Sequence, residues 1–253
     1  MLFQISSKIK HEDSKSRSYT KMNLHQKEQG YRYNSDTLLL YDFISNFKPK
    51  GTLLDVGCGC GILGLLVKRD FPSISLHLLD IQEENCTLTH TNATHNTIAF
   101  VSLTCKDFLV SSFTHTFDMI VSNPPFYHQG VVKSENEHLS ISRHSSYLPF
   151  EHFALKVGKM LSNKGYFLFC YDAKQLDTLC FCLHKAGLKI ENLRFVHTKA
   201  SEEASLVLVR ARKNSKTLCA ISPPLISMDE MGYTAEVQAI FKQANTQSIQ
   251  CKS

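Results

Sequence analysis

Apolar and polar positions fall into blocks along the chain that predict strands and helices in turn. Residues 5–29 are polar and lack periodicity, and order is expected to begin near residue 30. Leu38, Leu39, Tyr41, Phe43 and Ile44 predict a helix that Ser35 or Asp36 could cap and that Pro49 and Gly51 end. TLLDV (52–56), an apolar run stopped by glycines, predicts a strand. Residues 62–69 suit a helix, 75–80 a second strand, and 83–92 a weakly marked helix. Residues 100–105 and 117–122 predict a third and a fourth strand. Phe150, Phe153, Ala154, Val157 and Leu161 follow helical spacing, and 166–170 predicts a fifth strand. Leu176, Leu179, Cys180 and Leu183 form another helical stripe, with Gly187 just past its end. Two final strands, 188–196 and 204–210, precede a short helix marked by Tyr233, Val237, Ile240 and Phe241.

Strands alternating with helices predict an α/β fold, a seven-stranded, mostly parallel sheet with helices on both faces. The expected organisation is a polar N-terminal arm over 1–29 and one domain over 30–253. In such sheets ligands sit beyond the carboxyl ends of the strands, and the motifs below all follow strand ends.

Composition adds exclusions. At 43% apolar and 20% charged residues, the 253-residue chain is not mainly disordered. No apolar run approaches the roughly 20 residues of a membrane helix, and the first residues lack a signal-peptide core, so the expected location is the cytoplasm. Nine cysteines, an odd number without a C-x-x-C pair, read as apolar filler in a reducing compartment, and no metal site is expected. The net charge of +5 is uneven. Residues 1–30 carry six Lys/Arg against three acids, and 185–216 carry eight against three. Two basic segments suit a polyanionic partner, although ordinary solvated cations give the same pattern.

The first predicted strand runs into Asp55-Val-Gly57-Cys-Gly59-Cys-Gly61-Ile-Leu-Gly64. Closely spaced glycines let a backbone turn tightly and approach a ligand. Gly59, Gly61 and Gly64 satisfy G-x-G-x-x-G, and Asp80 ends the next predicted strand, so a dinucleotide fold is one reading. The other starts at Asp55, as D-x-G-x-G-x-G. That pattern resembles the first motif of the Rossmann-like S-adenosylmethionine-dependent methyltransferases. Under either reading Asp80 takes ribose hydroxyls.

Asn123-Pro124-Pro125-Phe126 follows the fourth predicted strand. Two prolines forbid strand continuation and remove two backbone donors. The carbonyls of Asn123 and Pro124 and the Asn123 side chain then offer acceptors for an NH2 group, beside a ring that can stack on a planar group. Acceptors on both N–H bonds position an exocyclic amine for attack on a sulfonium methyl, so positioning supplies most of the catalysis. The tetrapeptide resembles the [N/D/S]-P-P-[F/Y/W] motif of amino-group methyltransferases, and a dehydrogenase has no use for it. Asp107, after the third predicted strand, stands where enzymes of this class bind the cofactor's adenine; a turn cap is the alternative.

GYRYNSDTLLLYDF (30–43), DVGCGCGILGLL (55–66), DMIVSNPPFYHQG (118–130), Arg143-His144 and SMDEMGYTAEVQAIF (227–241) together resemble the tRNA adenine-N6 methyltransferase family, over about residues 23–241. That family modifies the adenine 3′ of the anticodon in a valine tRNA. The resemblance implies S-adenosyl-L-methionine as cofactor and the tRNA anticodon loop as substrate. It implies that Asp55, Gly57, Gly59 and Gly61 hold the cofactor's methionine part, Asp80 its ribose and Asp107 its adenine. Asn123 and Pro124 would grip the target amine, Pro125 would shape the turn, and Phe126 would stack on the base. Gly30, Tyr31, Arg32 and Asp36 would close over the cofactor. The long polar loop 127–147 is expected to contact RNA, with Lys133, Arg143 and His144 near phosphates. The rivals are methylation of a release-factor glutamine, guanine-N2 methylation of ribosomal RNA, and a non-catalytic RNA-binding relative.

Overall fold

A computed structural model describes residues 19–27, 35–124 and 149–251. Its first element is a strand, β1 (Met22–Lys27), followed by helix α1 (Ser35–Ser45). The alternation expected from sequence follows as β2 (Thr52–Val56), α2 (Ile62–Asp70), β3 (Ser75–Asp80), α3 (Glu83–His95), β4 (Ser102–Cys105) and β5 (Phe117–Ser122). Beyond residue 149 come α4 (Phe150–Met160), β6 (Leu161–Asp172), α5 (Leu176–Lys185), β7 (Leu188–His197) and β8 (Ala204–Lys213). Two short strands, β9 (Ala220–Ile221) and β10 (Leu225–Ile226), precede a small hairpin of β11 (Met228–Asp229) and β12 (Gly232–Tyr233). Helix α6 (Ala235–Ala244) and strand β13 (Thr246–Cys251) close the order.

The seven expected strands form one sheet in the order β7-β8-β6-β5-β2-β3-β4, to which β9 and β10 add short pairings along β7. Within those seven strands only β8 runs antiparallel to its neighbours. Both faces are buried, which is why the strands read as nearly continuous apolar runs. Leu53, Met119, Val121, Leu168 and Leu208 face one core with α1 and α2. Leu54, Ile120, Phe167, Phe169 and Val209 face the other, under α4 and α5. There Phe153 meets Phe167 edge-on at 5.5 Å, and Phe167 stacks on Phe169 at 4.4 Å. Truncating one of these phenylalanines to alanine would cost about 3–5 kcal/mol.

Residues 22–27 fall in the stretch read from sequence as a polar arm, yet they form a strand that pairs in parallel with β13. Met22 and Leu24 point into the core. The backbone groups of Asn23 and His25 face away from β13, toward α3. Asn96 accepts from the Asn23 N–H (2.9 Å) and donates to its carbonyl (2.7 Å). Asn92 does the same for His25, at 2.6 and 3.2 Å. Two asparagines one helical turn apart thus replace a missing neighbouring strand, because a side-chain amide carries the same donor and acceptor as a peptide. Arg69 ties this region to the far end of the chain by donating to the carbonyls of Thr20, Gln243 and Ala244.

Candidate active site

The site is built at the carboxyl ends of β2, β3 and β5. Past β2, Gly57, Gly59 and Gly61 all adopt positive φ (69°, 58° and 85°), a region that costs other residues about 1–2 kcal/mol. The N–H groups of Gly57 and Cys58 both donate to the Leu79 carbonyl of β3. A Cβ placed on Gly57 or Gly59 would meet nothing within 4 Å. The turn therefore bares its backbone to open space at the edge of the sheet, where a ligand can approach closely.

Both carboxylates singled out from sequence grip this turn from beneath. Asp80 accepts from the Gly59 N–H (2.8 Å), and its other oxygen accepts from the Gln82 N–H and the Asn85 amide. Asp55, only 1% exposed, accepts from the N–H of Gly64 in the first turn of α2 (2.9 Å). Burial pushes the Asp55 carboxyl up to about 7; the Gly64 bond opposes this and the nearby Asp80 charge adds to it. Two buried acids under an exposed backbone turn suit a ligand that carries positive charge. From α3, Thr89 donates to the Gly59 carbonyl (2.8 Å) and Asn92 to the Cys60 carbonyl (2.9 Å). A polar stripe of Asn85, Thr89 and Asn92 thus holds the turn; motif reasoning passed over it, although its i, i+4, i+7 spacing is visible in the sequence.

Ile81, directly after Asp80, is 48% exposed and offers an apolar surface beside the ribose-binding candidate. Asp107 lies close by, since the adjacent Lys106 N–H donates to the Asp80 carbonyl. Its carboxylate caps its own turn by accepting from the Leu109 N–H (2.8 Å), the role weighed against adenine binding.

At the end of β5, the Ser122 hydroxyl donates to the Val56 carbonyl (2.7 Å), fixing the start of the tetrapeptide against the start of the glycine turn. The Asn123 amide nitrogen donates to the Thr37 hydroxyl (2.9 Å), and the Cys170 thiol donates to the Asn123 carbonyl oxygen (3.0 Å). Pro124 is buried. Asp36, in the first turn of α1, is near enough to Cys170 that its charge, after burial, helps raise the thiol pKa well above the usual range. Asp36, Asp55, the glycines, Asp80, Asp107, Asn123 and Pro124 are thus gathered on one end of the sheet. Tyr31, Arg32, Pro125, Phe126, Lys133, Arg143 and His144 lie outside the described residues.

The basic segment 185–216 contributes less free charge than its composition suggests. Lys185 pairs with Glu151, Arg194 with Glu236, and Arg210 and Arg212 with Glu191. Arg210 also lies over the rings of Phe47 and Tyr166, at 4.3 and 4.2 Å. The register of β6 with β8 sets Arg212 beside Tyr166 and Arg210 beside Leu168, and both guanidiniums lie over the Tyr166 ring, toward the start of β6. Among the described residues, no cluster of three or more His, Cys, Asp or Glu is arranged to hold a metal. No described helix is long and apolar enough to cross a membrane.

Comparison with known proteins agrees with this geometry. Residues 33–148 match the family described as the methyltransferase small domain. A tRNA1(Val) (adenine(37)-N6)-methyltransferase of Phocaeicola vulgatus is 25% identical over 192 residues, covering 76% of this chain and 81% of its own. An enzyme of the same name from Flavobacterium psychrophilum is 24% identical over 231 residues, covering 89% and 97%. Ribosomal RNA small subunit methyltransferase C of Haemophilus ducreyi is 40% identical, but over 96 residues, 36% of this chain and 27% of that one. Among solved structures, that of a predicted O-methyltransferase from Agrobacterium tumefaciens superposes with a TM-score of 0.63 at 15% identity, covering 85% of this chain and 99% of that one. The sheet order, the glycine turn with its two buried acids and these likenesses all support a class I, Rossmann-like S-adenosylmethionine-dependent methyltransferase, with the methyltransferase small domain matched over residues 33–148.

Proposed function

We propose that the chain transfers a methyl group from S-adenosylmethionine to the exocyclic N6 amine of an adenine in tRNA, next to the anticodon. The observation that carries the reading is the placement of Asn123: it follows β5 directly, one residue after the Ser122–Val56 bond that fixes this strand end beside the glycine turn. The cofactor supplies an electrophilic methyl group on a sulfonium. Gly57, Gly59 and Gly61 would receive its methionine part, with Asp80 beneath them as compensating charge. Asp80, at the end of β3, is assigned to a ribose hydroxyl. Ile81 packs against the adenine, and Asp107 accepts from its amino group. Tyr31, Arg32 and Asp36 close over the cofactor.

The target amine is held by acceptors: the Asn123 carbonyl oxygen and the Pro124 backbone carbonyl take its two N–H bonds, and Phe126 stacks on the base. The lone pair is thereby aimed at the methyl. The amine nitrogen would take the methyl that the cofactor supplies as an electrophile, and the extra amine proton would leave to water. Asn123 has no basic atom for that proton, so its contribution is positional. A base in an anticodon loop is already accessible, which spares the few kcal/mol, roughly, of flipping from a duplex. Lys133, Arg143 and His144 are assigned to RNA phosphates.

The breadth of likeness to two tRNA adenine-N6 enzymes supports this substrate over the ribosomal RNA reading, whose match spans only 36% of the chain. The test is transfer from labelled S-adenosylmethionine to unmodified total tRNA and, separately, to ribosomal RNA, with mass identification of the nucleoside. N6-methyladenosine in tRNA is the expected product; label confined to ribosomal RNA or to protein refutes the assignment. Asn123→Ala should lower turnover at least about tenfold, roughly 1.4 kcal/mol of barrier, with cofactor affinity unchanged. Equal loss of both would mean the variant has lost its structure rather than its chemistry.

A further inference from the structure

We propose that Thr37 and Cys170 act as a positioning pair that decides which end of the Asn123 amide meets the target amine. The inference rests on the reading of Asn123 as the amine acceptor and extends it to two residues that no motif marks.

An asparagine side chain has an acceptor end and a donor end, and its terminal torsion is broad and roughly two-fold. Only the oxygen serves here, because the amide nitrogen would set N–H against the N–H of the substrate. Something must therefore choose between the two orientations. Thr37 lies 2.9 Å from the amide nitrogen, on the first turn of α1. Cys170 lies 3.0 Å from the amide oxygen, on β6. A thiol is a weak donor and a still weaker acceptor, so it favours the oxygen beside it. Burial and the Asp36 charge keep that thiol protonated, so its proton is always present to donate. The amide oxygen has a second lone pair, which stays available to the substrate. The three residues come from three elements, 86 and 47 positions apart in sequence.

The test is single-turnover methyl transfer to total RNA, with cofactor affinity measured in parallel, for Thr37→Val, Thr37→Ser, Cys170→Ala, Asn123→Ala and the double variant Thr37→Val/Asn123→Ala. Valine keeps the β-branched shape and removes the hydroxyl. Thr37→Val should lose about tenfold or more in the methyl-transfer rate with cofactor affinity within about twofold, and Thr37→Ser should restore most of it. The double variant should be no slower than Asn123→Ala alone, since Thr37 acts through a side chain already gone. Cys170→Ala, which cannot strain the helix, should lose a smaller factor of about three to ten, with the same non-additivity. Full turnover in both Thr37→Val and Cys170→Ala, or losses that multiply in the double variant, would overturn the positioning role. Full turnover in Asn123→Ala would instead overturn the acceptor reading, and the pair with it.

Discussion

Replacing Asn92 by leucine tests the view that one buried amide holds both the N-terminal strand and the glycine turn. The side chain has no exposed surface and uses both of its donors and its oxygen: it accepts from the His25 N–H and donates to the His25 and Cys60 carbonyls. Leucine fills the volume but takes the Asn92 partner away from three backbone groups. Each buried orphan costs about 1–3 kcal/mol. β1 can respond by lifting so that water reaches His25, which caps the loss at the docking energy of that strand. The expected result is a destabilisation of about 2–4 kcal/mol, with the Asn23 and His25 amides losing most of their protection from hydrogen exchange. Urea unfolding measures the first quantity and exchange the second. Because the Cys60 carbonyl is also released, S-adenosylmethionine should bind several-fold more weakly. Asn92→Asp should be worse, since it keeps the acceptor, removes both donors and buries a charge. A leucine variant with unchanged stability and a protected His25 amide would refute the reasoning.

The glycines of the turn should separate by role. Gly64→Ala sets a Cβ 2.9 Å from Leu78 and 3.0 Å from the Asp55 carboxylate, so it should cost about 1–3 kcal/mol in urea unfolding. Gly59→Ala meets no protein atom and should cost only about 1–2 kcal/mol of backbone strain, yet weaken cofactor binding by more than tenfold in calorimetry. Asp55 prefers its protonated form in the folded state, so its contribution to stability is present below about pH 4 and is lost as pH rises toward about 7. Asp55→Asn should therefore gain on the parent protein across that window, by at most about 4 kcal/mol above pH 7 when unfolding is followed from pH 4 to 8; a pH-independent difference would show that Asp55 ionises normally. Alanine at Lys133 and Arg143 should weaken RNA binding and flatten its salt dependence, and an unchanged slope would remove them from the phosphate contacts.

Much of the architecture is legible because glycine, proline and apolar periodicity are local signals. The seven strands, the turn at Gly57–Gly61 and the break at Pro124 all announce themselves within a few residues. What was faint or missed depends on polar groups that are buried. Helix α3 looked weak because the side it buries carries Asn85, Thr89 and Asn92, whose partners are a turn and a strand edge rather than a hydrophobic core. Strand β1 was passed over because its inward positions, Met22, Leu24 and Gln26, end on a polar residue that donates to Ser248. Its partner β13 (TQSIQC) is hardly more apolar. Thr37 and Cys170 join the candidate site through contacts that no spacing rule covers. The cations of 185–216 looked like a free patch because composition cannot show that Glu151, Glu191 and Glu236 reach them.

The pairing of β1 with β13 also sets an order of assembly during synthesis. Gln26 and Ser248, bonded side chain to side chain, are 222 residues apart. At about 5–20 residues per second, β1 emerges roughly 10–40 s before the strand it pairs with exists. In that interval the nascent chain can lay down the sheet from β2 onward and shape the glycine turn. β1, which precedes the helix that carries Thr37, has no partner strand until translation reaches β13. Competence for methyl transfer would then arrive late and abruptly, and a message truncated before codon 246 would yield a protein that can be folded around its sheet yet leaves β1 without its partner strand.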